Sequence, residues 1–380
     1  MKGYFRKRGK SWYFTIDVGI DPKTGRRKQK TKGGFKTKKE AQAEAAKLHH
    51  ELTTGLYVDE KKLLLNDFFE TWLKTYEKKV TESTVRIRKG SFDRFKKEIG
   101  NIDMNKITHK MYQTAIDNLA EKYSWNTVQA INSTIKLMYK KAKQMEMVIK
   151  DPTQYAELPK KPSKKGIQFI EKDELGYLLD VAKQEGLDQD YTLFTVLAYS
   201  GMRITELLAL KKTDLNFKEN TIDINKIIFN PKNNRHNYKL TPTKTENSSR
   251  VIKMDERVMR LLKKHLTEQN EIKLLNPEYD NQEFVFADYD GKPFTHAKAH
   301  YRFKRILEKS ELDDSLTLHM FRHTHISLLI ESGARDKEIM ERVGHADIKT
   351  TMNIYAHLTK DMENTTVERF SEHLKSYHEL

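Results

Sequence analysis

The sequence predicts an α+β multidomain chain. It would hold a small three-stranded sheet plus helix, a four-helix bundle, and a larger, mostly helical domain with a small antiparallel sheet. Three observations lead there. Short runs mixing aromatic and basic residues open the chain, four helical apolar stripes follow between Leu64 and Met147, and a proline- and lysine-rich stretch separates these from the rest. The 380 residues are enough for two or three domains.

Composition narrows the class. Apolar residues make up 37% of the chain, enough for packed cores, and no apolar run approaches the roughly 20 residues of a membrane-spanning helix. Met1–Lys10 is basic with no apolar stretch behind it, so it does not read as a secretory signal. Cysteine is absent, which excludes disulfides and thiolate metal sites and fits a reducing cytoplasm. A net charge of +16 suits a polyanionic partner, and the usual one inside a cell is nucleic acid.

The first domain is expected over residues 1–55. Tyr4–Arg8, Ser11–Asp17 and Arg27–Lys32 are strand candidates, with Asp21-Pro22-Lys23-Thr24-Gly25 as the turn between the second and third. Thr37 followed by Glu40 opens a helix with a capping-box pattern, and its alanine-rich body runs to about Leu52. Residues 1–47 hold about 15 basic against 4 acidic side chains. The functional reading is a sheet laid on DNA through Arg6, Arg8, Trp12, Lys28, Lys30 and Lys32. The plainer reading is a small sheet whose aromatics form its core, and alternate strand residues allow both.

Residues 62–150 read as a four-helix bundle. Phe68, Phe69, Trp72, Leu73 and Tyr76 form the first stripe, and Val85, Phe92, Phe95 and Ile99 the second. Met111, Ala115, Ile116 and Leu119 form the third, and Val128, Ile131, Ile135, Met138 and Tyr139 the fourth. A linker is expected over 151–166, because Asp151-Pro152 and Leu158–Gly166 cannot continue a helix. Its Lys160, Lys161 and Lys164 suit a path along a phosphate backbone.

Residues 167–380 read as one larger domain. Helices are expected from Asp173 to Leu179, from Asp190 to Tyr199, after Ser200-Gly201-Met202-Arg203, and over Leu316–Glu331, Asp336–Val343 and Ile348–Ala356. Strands are expected over Thr221–Phe229, Asn237–Leu240 and Ser249–Ile252.

The candidate chemistry is phosphoryl transfer without metal. It needs a nucleophile, cations to hold charge on the non-bridging oxygens, an acid for the leaving oxygen, and a dry site. His319 and Arg322, at i and i+3, share a helix face and together offer several donors to one phosphate. Val343-Gly344-His345 is followed by Thr350–Tyr355. A metal reading of His319, His323 and His325 lacks a carboxylate cluster or cysteine to complete a shell, and no His-Glu-x-x-His helix is present, so no metal is expected.

Together these residues identify a family. Arg203 in Ser-Gly-Met-Arg-Ile-Thr-Glu-Leu, His319-x-x-Arg322 in Leu-His-Met-Phe-Arg-His-Thr-His, Gly344-His345, and Tyr355 in Thr-Thr-Met-Asn-Ile-Tyr-Ala-His recur in order over about 150 residues. This closely resembles the tyrosine recombinases, the phage integrase family. The resemblance implies that Tyr355 attacks phosphorus to give a 3′-phosphotyrosine, and that Arg203 and Arg322 clamp the scissile phosphate. Lys244, in Thr241–Arg250, takes the place of the family's hairpin lysine and protonates the 5′-oxygen; Lys239 and Lys253 are its rivals. His319 takes or gives the tyrosine proton, and His345 hydrogen-bonds the phosphate. No cofactor is implied, since the covalent bond stores the energy for rejoining.

The resemblance also implies an organisation. An arm-site domain, a core-binding bundle and a catalytic domain would act on double-stranded DNA as a homotetramer, with the linker crossing the duplex. An accessory DNA-bending or excision factor would be a further partner. The tail, Thr365–Tyr377, would pack through Val367, Phe370 and Leu374 on a neighbouring protomer or on its own domain. The first 55 residues favour an integrase of a temperate phage or integrative element. The alternatives are a type IB topoisomerase-like nicking-closing enzyme, and a non-catalytic DNA- or RNA-binding regulator, which would have no need of Tyr355.

Overall fold

A computed structural model describes residues 3–20, 25–54, 62–162, 169–231, 234–243 and 248–344. The chain divides into two compact units, Met1–Ser163 and Lys164–Leu380. The expected Asp21–Gly25 turn (but for its glycine), the helix over Ile348–Ala356 and the tail lie outside the described residues.

The first unit begins with β1 (Tyr4–Arg8), β2 (Ser11–Ile20) and β3 (Arg27–Phe35), antiparallel in that order. Helix α1 (Lys38–Thr53) covers one face. Thr37 accepts a hydrogen bond from the Glu40 amide, which satisfies one first-turn donor, while the Glu40 side chain reaches past the N-cap to the Lys36 amide rather than to that of Thr37 as in the expected capping box. Phe14 and Ile16 on β2 pack against Ala41, Ala45 and Leu48.

The bundle is α2 (Leu65–Tyr76), α3 (Glu82–Ile99), α4 (His109–Lys122) and α5 (Trp125–Gln144). The four predicted stripes face one core, except that Met111 is exposed and Tyr112 takes its place inside. Phe69 and Phe92 stack there with ring centroids 3.7 Å apart. Two buried hydroxyls in the core are paired: Tyr112 donates to Asn132 and Tyr139 to the Met104 carbonyl.

The stretch expected as a free linker from Asp151 is held on this bundle as far as Lys161. Gln113 on α4 both donates to and accepts from the Glu157 backbone, and Trp125 donates to the Pro159 carbonyl. Lys161 lies over the Trp125 ring, and Ala156 and Leu158 pack on the core. The prolines keep the chain extended, and a strand-like segment finds partners on the nearest helix face.

The second unit contains α6 (Lys172–Gln184), α7 (Asp190–Ser200), the one-turn α8 (Ile204–Leu207), α9 (Glu256–Leu275), α10 (His296–Ser310), α11 (Met320–Glu331) and α12 (Asp336–Val343). Strands β4 (Leu215–Asn216), β5 (Thr221–Ile224) and β8 (Arg250–Lys253) form one antiparallel sheet in the order β4-β5-β8, and β6 (Lys226–Phe229) and β7 (Lys239–Pro242) form a hairpin. Helix α7 is buried almost all round, and Phe194 on it contacts Phe303 and Phe321.

Several boundaries differ from the sequence reading; β2 and β3 each run three residues further than expected, and β7 lies two residues later. The expected strand Thr221–Phe229 breaks at Asn225, because its halves pair with different partners, β8 and β7. Helix α6 extends to Gln184, five residues beyond the predicted end. Helix α11 starts at Met320 rather than Leu316, since the chain before it turns tightly through Leu316–Asp313 and Met320–Thr317 hydrogen bonds. Removing a fully buried aromatic side chain costs ~3–5 kcal/mol, more than a core this small can spare. Phe14→Ala is therefore expected to make Tyr4–Thr53 protease-sensitive while the bundle helices stay protected. Limited proteolysis read by mass spectrometry checks this, and unchanged resistance of that segment contradicts it.

Candidate active site

The site forms where four chain segments of the second unit meet. Helix α7 ends at Gly201, whose φ of +63° reverses the chain so that Met202 and Arg203 lead into α8. A side chain at Gly201 is excluded twice, because a Cβ there would lie 2.5 Å from the His325 ring. The one-turn α8 places Glu206 beside Arg203. Glu206 accepts from the Arg203 amide at 3.0 Å and from its guanidinium at 2.8 Å. From β8, Arg250 donates at 3.0 Å to Oε2, the oxygen that also accepts from the Arg203 amide. Arg250 also donates to the Ser248 and Arg342 carbonyls.

Arg322, in the first turn of α11, is 1% exposed. It donates to the Gly201 carbonyl at 2.9 Å and to the Val343 carbonyl. Burial, then the charges of Arg203 and Arg250, push its guanidinium down to about 9, with Glu206 acting the other way. It stays protonated at neutral pH. For the carboxyl of Glu206, burial acts upward, but Arg250 and Arg203 outweigh it and hold the group below the usual range.

The electrostatics follow directly. Three guanidiniums surround one carboxylate, leaving two positive charges in a partly dehydrated place. Arg250 and Glu206 are almost fully buried, whereas Arg203 keeps 37% of its side chain exposed. This arrangement is short of anion and open on the Arg203 side. It suits a singly charged phosphodiester, and suits better a transition state that gains charge.

His319 is the residue before α11, in helical conformation, so the expected i, i+3 relation to Arg322 holds although His319 caps the helix rather than lying within it. It sits at the open edge, with its ring edge-on to His323 at 4.7 Å. Partial desolvation, then Arg322 and Arg203, lower its pKa, so it is neutral at physiological pH. His323 and His325 are pushed down to about 4 by burial first. A histidine buried neutral contributes stability that is complete above its ordinary pKa of ~6.5 and is lost as pH falls toward the lowered value.

Of the six catalytic candidates, Arg203, His319 and Arg322 are brought together. Lys244, His345 and Tyr355 lie outside the described residues. The rivals of Lys244 are described. Lys253 falls on the opposite face of β8 from Arg250, and Lys239 pairs with Phe229 at the end of the hairpin away from Thr243. Among the DNA-binding candidates, Arg6 and Arg8 pair with Tyr13 and Ser11 on the sheet face away from α1. Lys30 and Lys32 pair with Ile16 and Phe14 on the helix side, where Lys32 meets Glu44. Trp12 packs on the small core with Lys38 over its ring, and Lys28 follows the β-bulge at Asp17–Gly19. Lys160 is exposed, Lys161 lies on Trp125, and Lys164 is outside the described residues.

A model of the phage integrase family matches residues 168–362, which span this cluster. The chain belongs to the phage integrase family. An arm DNA-binding domain model matches residues 4–52, and a phage integrase N-terminal SAM-like domain model matches 64–120. The integrase of Staphylococcus phage L54a is 33% identical over 333 residues, covering 81% of this chain and 92% of that one. The ICEBs1 integrase of Bacillus subtilis (strain 168) is 26% identical, covering 94% and 97%. The fold is shared with the Tn1549 transposon integrase solved with transposon right end DNA (TM-score 0.69, 20% identity, 81% of this chain and 100% of that one). It is also shared with a lambda integrase tetramer bound to a Holliday junction (TM-score 0.60, 15% identity, 91% and 92%). The chain is thus a tyrosine site-specific recombinase by family.

The sequence motifs gave Glu206 no part in the site and did not mark Arg250 or Arg342. Arg250 closes the quoted Thr241–Arg250 segment, but nothing in its spacing marks it as facing Glu206. Removing one member of a buried ion pair costs ~3–5 kcal/mol because the other charge is stranded. Glu206→Ala is expected to lower stability by about 3 kcal/mol or more, and Glu206→Gln by less, since an amide oxygen still accepts. Denaturant midpoints check this; an unchanged midpoint for Glu206→Ala contradicts it.

Proposed function

We propose that this recombinase cleaves and rejoins DNA through a 3′-phosphotyrosine at Tyr355 to integrate and excise a mobile element. The observation that carries the reading is the arginine cluster around Glu206. It holds more positive charge than its own carboxylate neutralises, and Arg203 and Arg322 are the two arginines that the sequence pattern assigned to a phosphate.

In the forward step the Tyr355 oxygen bonds to phosphorus and its proton passes to neutral His319. The bond to the 5′-oxygen breaks, and Lys244 supplies the proton that this oxygen takes. Arg203 and Arg322 hold the non-bridging oxygens, whose charge grows in the transition state, and His345 donates to one of them. Rejoining runs the same steps backward: the 5′-hydroxyl attacks, and Tyr355 leaves with the proton returned from His319. The phosphodiester count is unchanged, so no nucleotide hydrolysis is required.

The partner is double-stranded DNA at core and arm attachment sites. The basic N-terminal sheet, with Arg6 and Arg8 on its open face, supports the arm role and favours recombination over simple relaxation by a topoisomerase-like enzyme. Exchange between two duplexes calls for four protomers, and the lambda integrase tetramer on a Holliday junction is a relative in that state. We assign to the same reading an accessory DNA-bending or excision factor, and action in the bacterial cytoplasm.

The test is a nicked half-site carrying a label, incubated with the protein and then denatured in SDS. Wild type is expected to form a covalent protein–DNA adduct, including in EDTA, and Tyr355→Phe to form none. An adduct that persists in Tyr355→Phe overturns the nucleophile assignment.

A further inference from the structure

Helix α12 supplies no member of the Arg203–Glu206–Arg250–Arg322 cluster, yet its last turn is tied to α7, β8 and α11. Its Val343 carbonyl accepts from Arg322 and its Arg342 carbonyl accepts from Arg250 at 2.8 Å. These are carbonyls at the negative end of the helix, where cations are favoured.

The Arg342 side chain adds three more bonds in other directions. Its Nε donates to His325 Nε2 on α11 at 3.0 Å, its Nη1 to the Lys253 carbonyl on β8 at 2.9 Å, and its Nη2 to the Tyr199 carbonyl on α7 at 2.9 Å. Each of its three nitrogens already has a protein acceptor, so its geometry is that of a brace.

His325 is the other half of the brace. A guanidinium only donates, so His325 Nε2 must be the accepting nitrogen. Nδ1 then carries the hydrogen and donates to the Ala198 carbonyl at 2.8 Å. The ring rests on Gly201, the turn that leads to Arg203 and whose carbonyl holds Arg322. One neutral imidazole thus registers both arginine-bearing segments against α12.

We propose that Arg342, acting through His325, is a positioning residue for strand cleavage: it fixes the end of α12, from which the chain runs on to His345, against the Gly201 turn and β8. This rests on the arginine cluster being the phosphate site. Misplacement of reacting groups by ~1 Å costs on the order of 10²-fold in rate, whereas DNA affinity comes from many contacts elsewhere.

The test compares single-turnover adduct formation with half-site affinity, using the full chain. Arg342→Ala is expected to slow adduct formation about 10²-fold while half-site Kd stays within about threefold. Arg342→Lys is expected to stay at least about tenfold slow, because an ammonium on a flexible stem cannot serve three acceptors set around a planar fork. His325→Leu should match Arg342→Ala, and the double variant should be no slower than either, as expected for one coupled unit. His325→Gln keeps an amide donor for Ala198 and an oxygen acceptor for Arg342, and is expected to restore the rate to within about threefold of wild type. Thermal unfolding of each variant identifies any that fails to fold, and His325→Leu against His325→Gln then carries the comparison. Wild-type rates in Arg342→Ala or His325→Leu overturn the proposal, as does a rate loss that only tracks lost DNA affinity. Failure of the site reading itself looks different: wild type would then form no adduct, or Tyr355→Phe would form one.

Discussion

The second unit is arranged around one buried cation. Arg322 has almost no exposed surface, and a guanidinium in that position is stable only if its donors are met and a counter-charge is near. Two of its bonds go to the carbonyls of Gly201 and Val343, which are the C-terminal ends of α7 and α12. Both helices therefore end at the same place, and both end through a left-handed glycine, Gly201 and Gly344. The turn after α7 then delivers Arg203, and the turn after α12 leads toward His345. The pairing of a buried arginine with helix ends explains why residues more than a hundred positions apart in the chain share one site.

Charge balance follows from the same constraint. Glu206 is divided between Arg203 and Arg250, so its single negative charge leaves the cluster positive overall. A site fully neutralised by its own carboxylates would have little to gain from a phosphate. A site without Glu206 would hold three repelling guanidiniums. The arrangement lies between these, with the surplus directed to the part that Arg203 leaves open.

Much of the architecture was legible because it rests on periodicity. The three N-terminal strands, the Thr37–Glu40 cap and the four bundle helices follow from alternation and helical spacing, with little tertiary override. What was not legible depends on partners. The break at Asn225 exists because two strands compete for one segment, and the bundle's hold on Glu157 and Pro159 depends on where Gln113 and Trp125 fall. Helices α9 and α10 carried ordinary signals, with Asp255 and Thr295 as caps, that the reading passed over. Within the cluster, Arg203, His319 and Arg322 were marked by motif, whereas Arg250 and Arg342 were not, because a buried or half-buried arginine looks like a surface one in sequence. Pairing register also sorted the arm-domain candidates, setting Arg6 and Arg8 on one face and Lys30 and Lys32 on the other.

The central claim is that Arg322 and its neighbours act by neutralising charge on a phosphate. The most direct measurement compares Arg322→Ala with wild type on two half-sites, one with a normal scissile phosphodiester and one with a neutral methylphosphonate in its place. With the phosphodiester, loss of one such donor is expected to cost about 10²-fold or more in cleavage rate. With the methylphosphonate the charge to be neutralised is gone, and most of that loss is expected to disappear. An equal loss on both substrates would contradict the account and leave Arg322 as a purely structural link between two helix ends.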